Sequence, residues 1–174
     1  MWTIDGICAK ARALMKLARE PMLLARDMGI LVRYESMGTS ERACKGFYVY
    51  AFRRHVITIN GDLSEDAARI VLAHELGHAA LHRDAAQLRA FHDFSLYDTS
   101  KLEYEANVFA AELLLDDDEV IERLNEDTFF FLAARELRVP PELLDIKFRT
   151  LKHRGYQIDL PLMAKSNFLK NALE

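Results

Sequence analysis

Apolar side chains at Ile7, Ala11, Leu14 and Ala18 recur at the spacing of one helical face. Pro21 suits the first position of a second helix, where its missing N–H loses no bond. Gly29 suits the cap that ends that helix. The pattern then becomes extended: Ile30–Tyr34, Gly46–Ala51 and His55–Asn60 are rich in aromatic and β-branched residues and predict three strands. Arg53-Arg54 marks a hairpin turn between the last two, and Asn60-Gly61-Asp62 closes the strand section.

From Ser64 onward helical spacing prevails. Ser64 predicts an N-cap, with Glu65 and Asp66 in the first turn where the helix dipole favours acids, and this helix should run to about Leu81 or His82. A further helix from about 100 to 115 aligns Leu102, Ala106, Phe109 and Leu113. The acidic run Asp116–Glu119 opens another helix or turn. Phe129–Leu137 and Glu142–His153 then read as two helices separated by Val139-Pro140-Pro141, and Phe129-Phe130-Phe131 reads as core. Strands first and helices after predict an α+β fold: N-terminal helices, a small antiparallel three-stranded sheet, a central helix pair and a C-terminal helical bundle.

Length and composition narrow the class. A chain of 174 residues without repeats, low-complexity tracts or a Pro/Gly/Ser linker is expected to form one domain over 1–174, organised as 1–62, 63–115 and 116–174. The net charge of −4 lacks the basic excess of a general nucleic-acid binder. No apolar run approaches the roughly 18 residues needed to cross a bilayer. Lys10, Arg12, Lys16 and Arg19 interrupt the N-terminal apolar residues, unlike the core of a signal peptide. Cys8 and Cys44 form no disulfide framework and no metal-ligand spacing, and read as small buried hydrophobes. These features together point to a cytoplasmic protein with no membrane attachment.

The chemistry concentrates in Ile70-Val71-Leu72-Ala73-His74-Glu75-Leu76-Gly77-His78-Ala79-Ala80-Leu81-His82. Its apolar side chains cover nearly the whole helix circumference, which is the pattern of a buried helix. Yet His74, His78, His82 and Glu75 share an arc of about 100°. Burying such groups without partners costs several kcal/mol, and a divalent cation resolves the conflict. Residues four apart lie one turn above each other, so the imidazoles of His74 and His78 can converge on one ion, as zinc–nitrogen bonds require. Glu75, one residue past the first ligand, lies beside the ion and is placed to take a proton from the attacking water. A catalytic zinc keeps one position open, so a third protein ligand is expected.

Several residues compete for that place. His82 lies two turns from His74, about 12 Å along the axis, too far to share one ion with both, and otherwise reads as a C-terminal histidine favouring the helix dipole. Asp84 follows a turn that lacks the glycine needed to swing the chain back. Glu103 shares a helical face with Asn107, whose amide oxygen could accept the free N–H of a ligating histidine. Against it, Ser100-x-x-Glu103 also reads as a capping box. Glu105 and Glu112 are rivals, with Glu105 pointing roughly opposite to Glu103.

Ala73-His74-Glu75-Leu76-Gly77-His78-Ala79-Ala80-Leu81-His82, followed by Glu103-Tyr104-Glu105-Ala106-Asn107-Val108-Phe109-Ala110-Ala111-Glu112-Leu113-Leu114, resembles the ImmA/IrrE metallopeptidases. Pro21-x-x-Leu24-Ala25-x-x-x-Gly29-Ile30-x-Val32 and Ile57-x-Ile59-Asn60 also fit, so the similarity covers most of residues 20 to 155. The resemblance implies a zincin-like fold and a gluzincin-like zinc site, with His74, His78 and Glu103 as ligands, Glu75 as catalytic base and Asn107 in the outer shell. It further implies a bacterial, phage or mobile-element protein whose substrate is a protein, a helix-turn-helix transcriptional repressor from the same operon. Asp116 stands where the family often has proline, which changes how that helix ends.

The reaction expected from this set is zinc-dependent peptide-bond hydrolysis. His92, Tyr97 and Tyr104 are candidate donors to the oxyanion, each with a structural alternative. Two other function classes compete with it. A metal-containing antirepressor could act by binding its repressor without cutting it, although Glu75 would then have no use. Lys147, Arg149, Lys152, His153 and Arg154 after the Pro-Pro turn could touch nucleic acid, or simply form a solvated basic face. Direct nucleic-acid binding is not expected.

Overall fold

The computed structural model describes residues 2–51, 53–83, 91–93, 101–125 and 129–158. By their internal contacts the residues divide into two compact units, 1–114 and 115–174.

The first unit begins with α1 (Ile4–Met15), capped by the Thr3 hydroxyl accepting from the Gly6 amide at 3.1 Å. Ile7, Cys8 and Ala11 are its buried residues, so the stripe is shorter than the periodicity predicts. Helix α2 (Pro21–Asp27) has proline at its start and is followed by Gly29 at φ +70°, a left-handed geometry that glycine adopts without steric cost.

Strands β1 (Ile30–Glu35), β2 (Gly46–Ala51), β3 (Arg54–Asn60) and β4 (Phe91–Asp93) form a sheet in the order β1-β3-β2-β4. The sheet is mixed, which corrects the expectation of three antiparallel strands. β2 and β3 make the predicted antiparallel hairpin, but β1 runs parallel to β3, with Ile30 opposite His55 and Glu35 opposite Asn60. β4 adds to the far side of β2, antiparallel, with Tyr48 opposite Phe91; three residues carry too little pattern to be seen in sequence.

Two physical features set this order. The end of β3 from Ile57 to Asn60 is buried, whereas β1 leaves Leu31 and Tyr34 exposed, so β3 takes the interior and β1 the edge. The ten-residue connection between β1 and β2 is also long enough to cross the end of β3, and Asn60 ties it down. Its buried amide oxygen accepts from the backbone N–H groups of Met37 (3.1 Å) and Asp62 (3.0 Å). Its amide nitrogen donates to the carbonyls of Gly38 (2.8 Å) and Cys44 (3.0 Å). Cys8 is buried as expected; Cys44 is only half-buried, its thiol donating to the Gly46 carbonyl.

Helix α3 (Glu65–Leu81) starts at Ser64, whose hydroxyl accepts from the Ala67 amide at 3.3 Å. Residues 70–79 are all buried, as an apolar circumference demands, because the helix packs on the sheet and on α4 (Lys101–Leu114). α4 in turn packs on α1, and Arg12 Nε meets the buried Glu112 carboxylate at 2.6 Å. Among the described residues, no helix is long and apolar enough to cross a membrane.

The second unit contains α5 (Asp117–Asn125), α6 (Phe130–Glu136) and α7 (Pro141–His153). Val120, Leu124, Phe130, Ala133, Leu144, Phe148 and Leu151 are buried. Of the Phe129-Phe130-Phe131 run only Phe130 belongs to the core; Phe129 precedes the helix and is 82% exposed, and Phe131, the next helical position, is turned about 100° away from Phe130 and is also exposed. Nor is the basic stretch of α7 uniformly solvated. Lys147, 1% exposed, pairs with Asp117 Oδ1 at 2.5 Å, and Arg154 Nη2 pairs with Asp117 Oδ2 at 2.8 Å. Burial alone would raise the Asp117 carboxyl, but hydrogen bonds from Arg154 and Lys147 and their charges outweigh it and bring its pKa to about 2.

Replacing Asn60 with alanine strips four backbone groups of their partner and should cost about 2–4 kcal/mol, read from chemical denaturation. Asp117 is stabilising while ionised. Its folded pKa lies below the usual carboxylate value, so its contribution is full above about pH 4 and fades as pH falls toward about 2. Asp117→Asn should therefore destabilise the chain at neutral pH and flatten the acid limb of a melting-temperature profile between those values.

Candidate metal centre

α3 and α4 approach so closely that their side chains share one site. A Cβ added at Gly77 would lie 3.0 Å from both the Cα and the carbonyl oxygen of Ala106, and 3.2 Å from Phe109 Cβ. Only glycine lets the backbones come this near, and the approach brings the first turns of α4 over His74 and His78.

Three donor atoms meet there. His74 Nε2 lies 3.1 Å from Glu103 Oε2, His78 Nε2 lies 3.0 Å from His74 Nε2, and His78 Nε2 lies 3.4 Å from Glu103 Oε2. All three residues are buried. A tetrahedral ion with bonds of 2.0–2.1 Å spaces its ligands about 3.3–3.4 Å apart, close to the edges of this triangle.

Proton accounting favours a cation here. Asn107 Oδ1 sits 2.7 Å from His74 Nδ1, and an amide oxygen can only accept, so that nitrogen carries the hydrogen and Nε2 of the neutral ring has a bare lone pair. Burial, the largest influence on His78, lowers its pKa to about 4 despite the neighbouring Glu103, so the ring is neutral at neutral pH. Lone pairs and an ionised carboxylate facing one another repel unless a positive ion lies between them. The donor set therefore fits a divalent metal.

The structure brings together His74, His78 and Glu103, puts Asn107 behind His74, and seats Glu75, fully buried, one residue along α3 from His74. Glu103 thus faces α3; the Ser100 half of the capping-box reading lies outside the described residues, as do Asp84 and Tyr97. His92 pairs with Phe47 through β4, and its side chain is not among those described. Tyr104 is on α4 but 40% exposed. Glu112 is turned toward Arg12.

Sequence reasoning missed the fate of His82 and Glu105. His82 does end α3, but it is buried, with Nδ1 3.1 Å from His78 Nδ1 and Nε2 2.9 Å from Glu105 Oε2. The signal was present in the repeated four-residue spacing of His74, His78 and His82. A residue too far along the axis to bind the same ion can still bind a ligand of that ion.

Gly77→Ala tests the close approach. Overpacking of about 1–3 kcal/mol offsets the roughly 1 kcal/mol that alanine gains in helix propensity, so the variant should lose up to about 2 kcal/mol of stability and bind metal more weakly. Thermal melts with and without added metal would read both effects.

Residues 25–149 match the model of the Peptidase M78 family, described as the IrrE N-terminal-like domain. "Uncharacterized immunity region protein 2" of Bacillus phage phi105 is 39% identical over 102 residues, which are 59% of this chain and 64% of that protein. The chain thus spans somewhat less than two thirds of that relative's length. The match over most of the chain, with its central helices and metal-suited donor set inside the matched region, shows that the chain belongs to the Peptidase M78 family, the IrrE N-terminal-like domain.

Proposed function

We propose that this chain is a zinc-dependent endopeptidase whose substrate is a helix-turn-helix transcriptional repressor of a phage or mobile element. The observation that carries the catalytic part is the convergence of His74 Nε2, His78 Nε2 and Glu103 Oε2 within a few ångströms, with the buried Glu75 next on the helix. Two nitrogens and one carboxylate oxygen are the donor set of catalytic zinc sites, which keep a fourth position for water or substrate. The immunity-region name of the phage relative supports a setting in which a repressor is the target.

His74, His78 and Glu103 would hold the ion. When bound, it supplies Lewis acidity, polarising the scissile carbonyl and making water a competent nucleophile near neutral pH. Glu75 moves the proton: its carboxylate takes one from the attacking water and returns it to the departing amine nitrogen, which leaves as a neutral amine. Asn107 acts through His74, holding the ring proton on Nδ1 so that Nε2 faces the ion. A structural metal site needs no base beside it, and so Glu75 favours hydrolysis over a purely binding role.

Co-expression with a candidate helix-turn-helix repressor from the same phage or mobile element should yield fragments that disappear on chelation. Glu75→Gln should retain zinc while slowing cleavage by about 10²–10⁴-fold, whereas His78→Ala should lose the metal as well. If Glu75→Gln still relieves repression as fully as the wild type, the chain acts by binding the repressor and the peptidase reading fails.

A further inference from the structure

We propose that His82 and Glu105 form a positioning relay that keeps the proton of His78 on Nδ1, and thereby keeps its Nε2 lone pair aimed into the metal centre. The inference rests on the zinc reading above, and extends it to two residues that touch no metal.

The direction of the relay follows from which groups can only accept. A carboxylate has no hydrogen to give, so the 2.9 Å contact between Glu105 Oε2 and His82 Nε2 places a hydrogen on that nitrogen. The relay requires His82 as the neutral ring, whose one N–H is then on Nε2 and whose Nδ1 is the acceptor; a cationic His82 would donate from Nδ1 and reverse the order. The nitrogen 3.1 Å away is His78 Nδ1, which must therefore donate. The remaining nitrogen of His78 is Nε2, the atom that meets His74 Nε2 and Glu103 Oε2.

Glu105 is itself anchored. Its Oε1 accepts from the Trp2 backbone N–H at 3.2 Å, while the Trp2 indole N–H donates to the Leu81 carbonyl at 3.0 Å, at the end of the helix that carries both histidines. His78, His82 and Glu105 are each no more than 5% exposed, so water competes poorly for these bonds. Without the carboxylate, His82 could place its hydrogen on Nδ1 instead. That hydrogen would point at His78 Nδ1 and drive the His78 proton to Nε2, where it would block the ligand. A side chain that merely filled space would impose no such order. Nor is the arrangement a copy of the one behind His74, where the Asn107 oxygen accepts directly.

The test uses the full chain, first free of metal. Long-range proton–nitrogen spectra of the histidine rings should show His78 protonated on Nδ1 and His82 on Nε2. Zinc affinity, measured by competition with a chelator, should fall by about 10–100-fold in His82→Phe and in Glu105→Leu. Melting curves of the metal-free variants identify any that fail to fold, and the wild-type ring spectra decide the matter without them. His78 carrying its proton on Nε2 in the metal-free wild type overturns the relay, as does zinc binding within about threefold of wild type in both His82→Phe and Glu105→Leu. A wild-type chain that binds no zinc defeats the metal reading instead, while the ring spectra still report on the relay.

Discussion

The site depends on the distance between two helix backbones. α3 supplies two imidazoles and a carboxylate, but a helix alone cannot furnish a third ligand at the right height, because its next inward-facing histidine is a turn too far along the axis. The third donor has to come from α4, and it reaches the site because nothing at Gly77 holds α4 away. Glu103 arrives within 3.1–3.4 Å of both ring nitrogens as a consequence of that contact.

Having brought polar groups into an apolar interface, the fold supplies each ring with a second partner. Asn107 lies behind His74, and His82 with Glu105 behind His78. α4 makes both arrangements from two sides of one helix: Glu103 and Asn107 lie on one face, while Glu105 reaches His82 and the first residues of the chain. This explains a helix in which Glu103, Glu105, Asn107 and Glu112 are all buried. Glu105 and Glu112 each have a nitrogen partner and Glu103 faces the metal centre, which is the condition under which such burial is tolerated. A metal centre built this way couples binding to folding, since the donors converge only when α1, α3, α4 and the sheet are assembled.

The C-terminal unit uses charge differently. Asp117 gathers the buried Lys147 and the partly exposed Arg154 into an ion-paired group that fastens α7 to the start of α5. Two of the five basic residues after the Pro-Pro turn thus serve structure, which weakens the case for a nucleic-acid face there. Phe129 and Phe131 remain exposed around the buried Phe130.

What the sequence by itself determined were the features set within a turn or two of chain. The Ser64 cap, the proline start of α2, the glycine after it, the β2–β3 hairpin and the span of α3 all follow from local dihedral and hydrogen-bonding preferences. The His74-Glu75-x-x-His78 pairing follows from helical pitch alone. Tertiary structure decided what joins distant segments. It made β1 parallel to β3, because Asn60 lets a loop cross the strand end. It chose Glu103 over Glu105 and Glu112, because helical spacing says which residues share a face but not which neighbour that face meets. It also made His82, at the helix end, a buried partner of His78, since its role depends on Glu105, 23 residues away on another helix. Periodicity carries the first kind of information; the second exists only where helices touch.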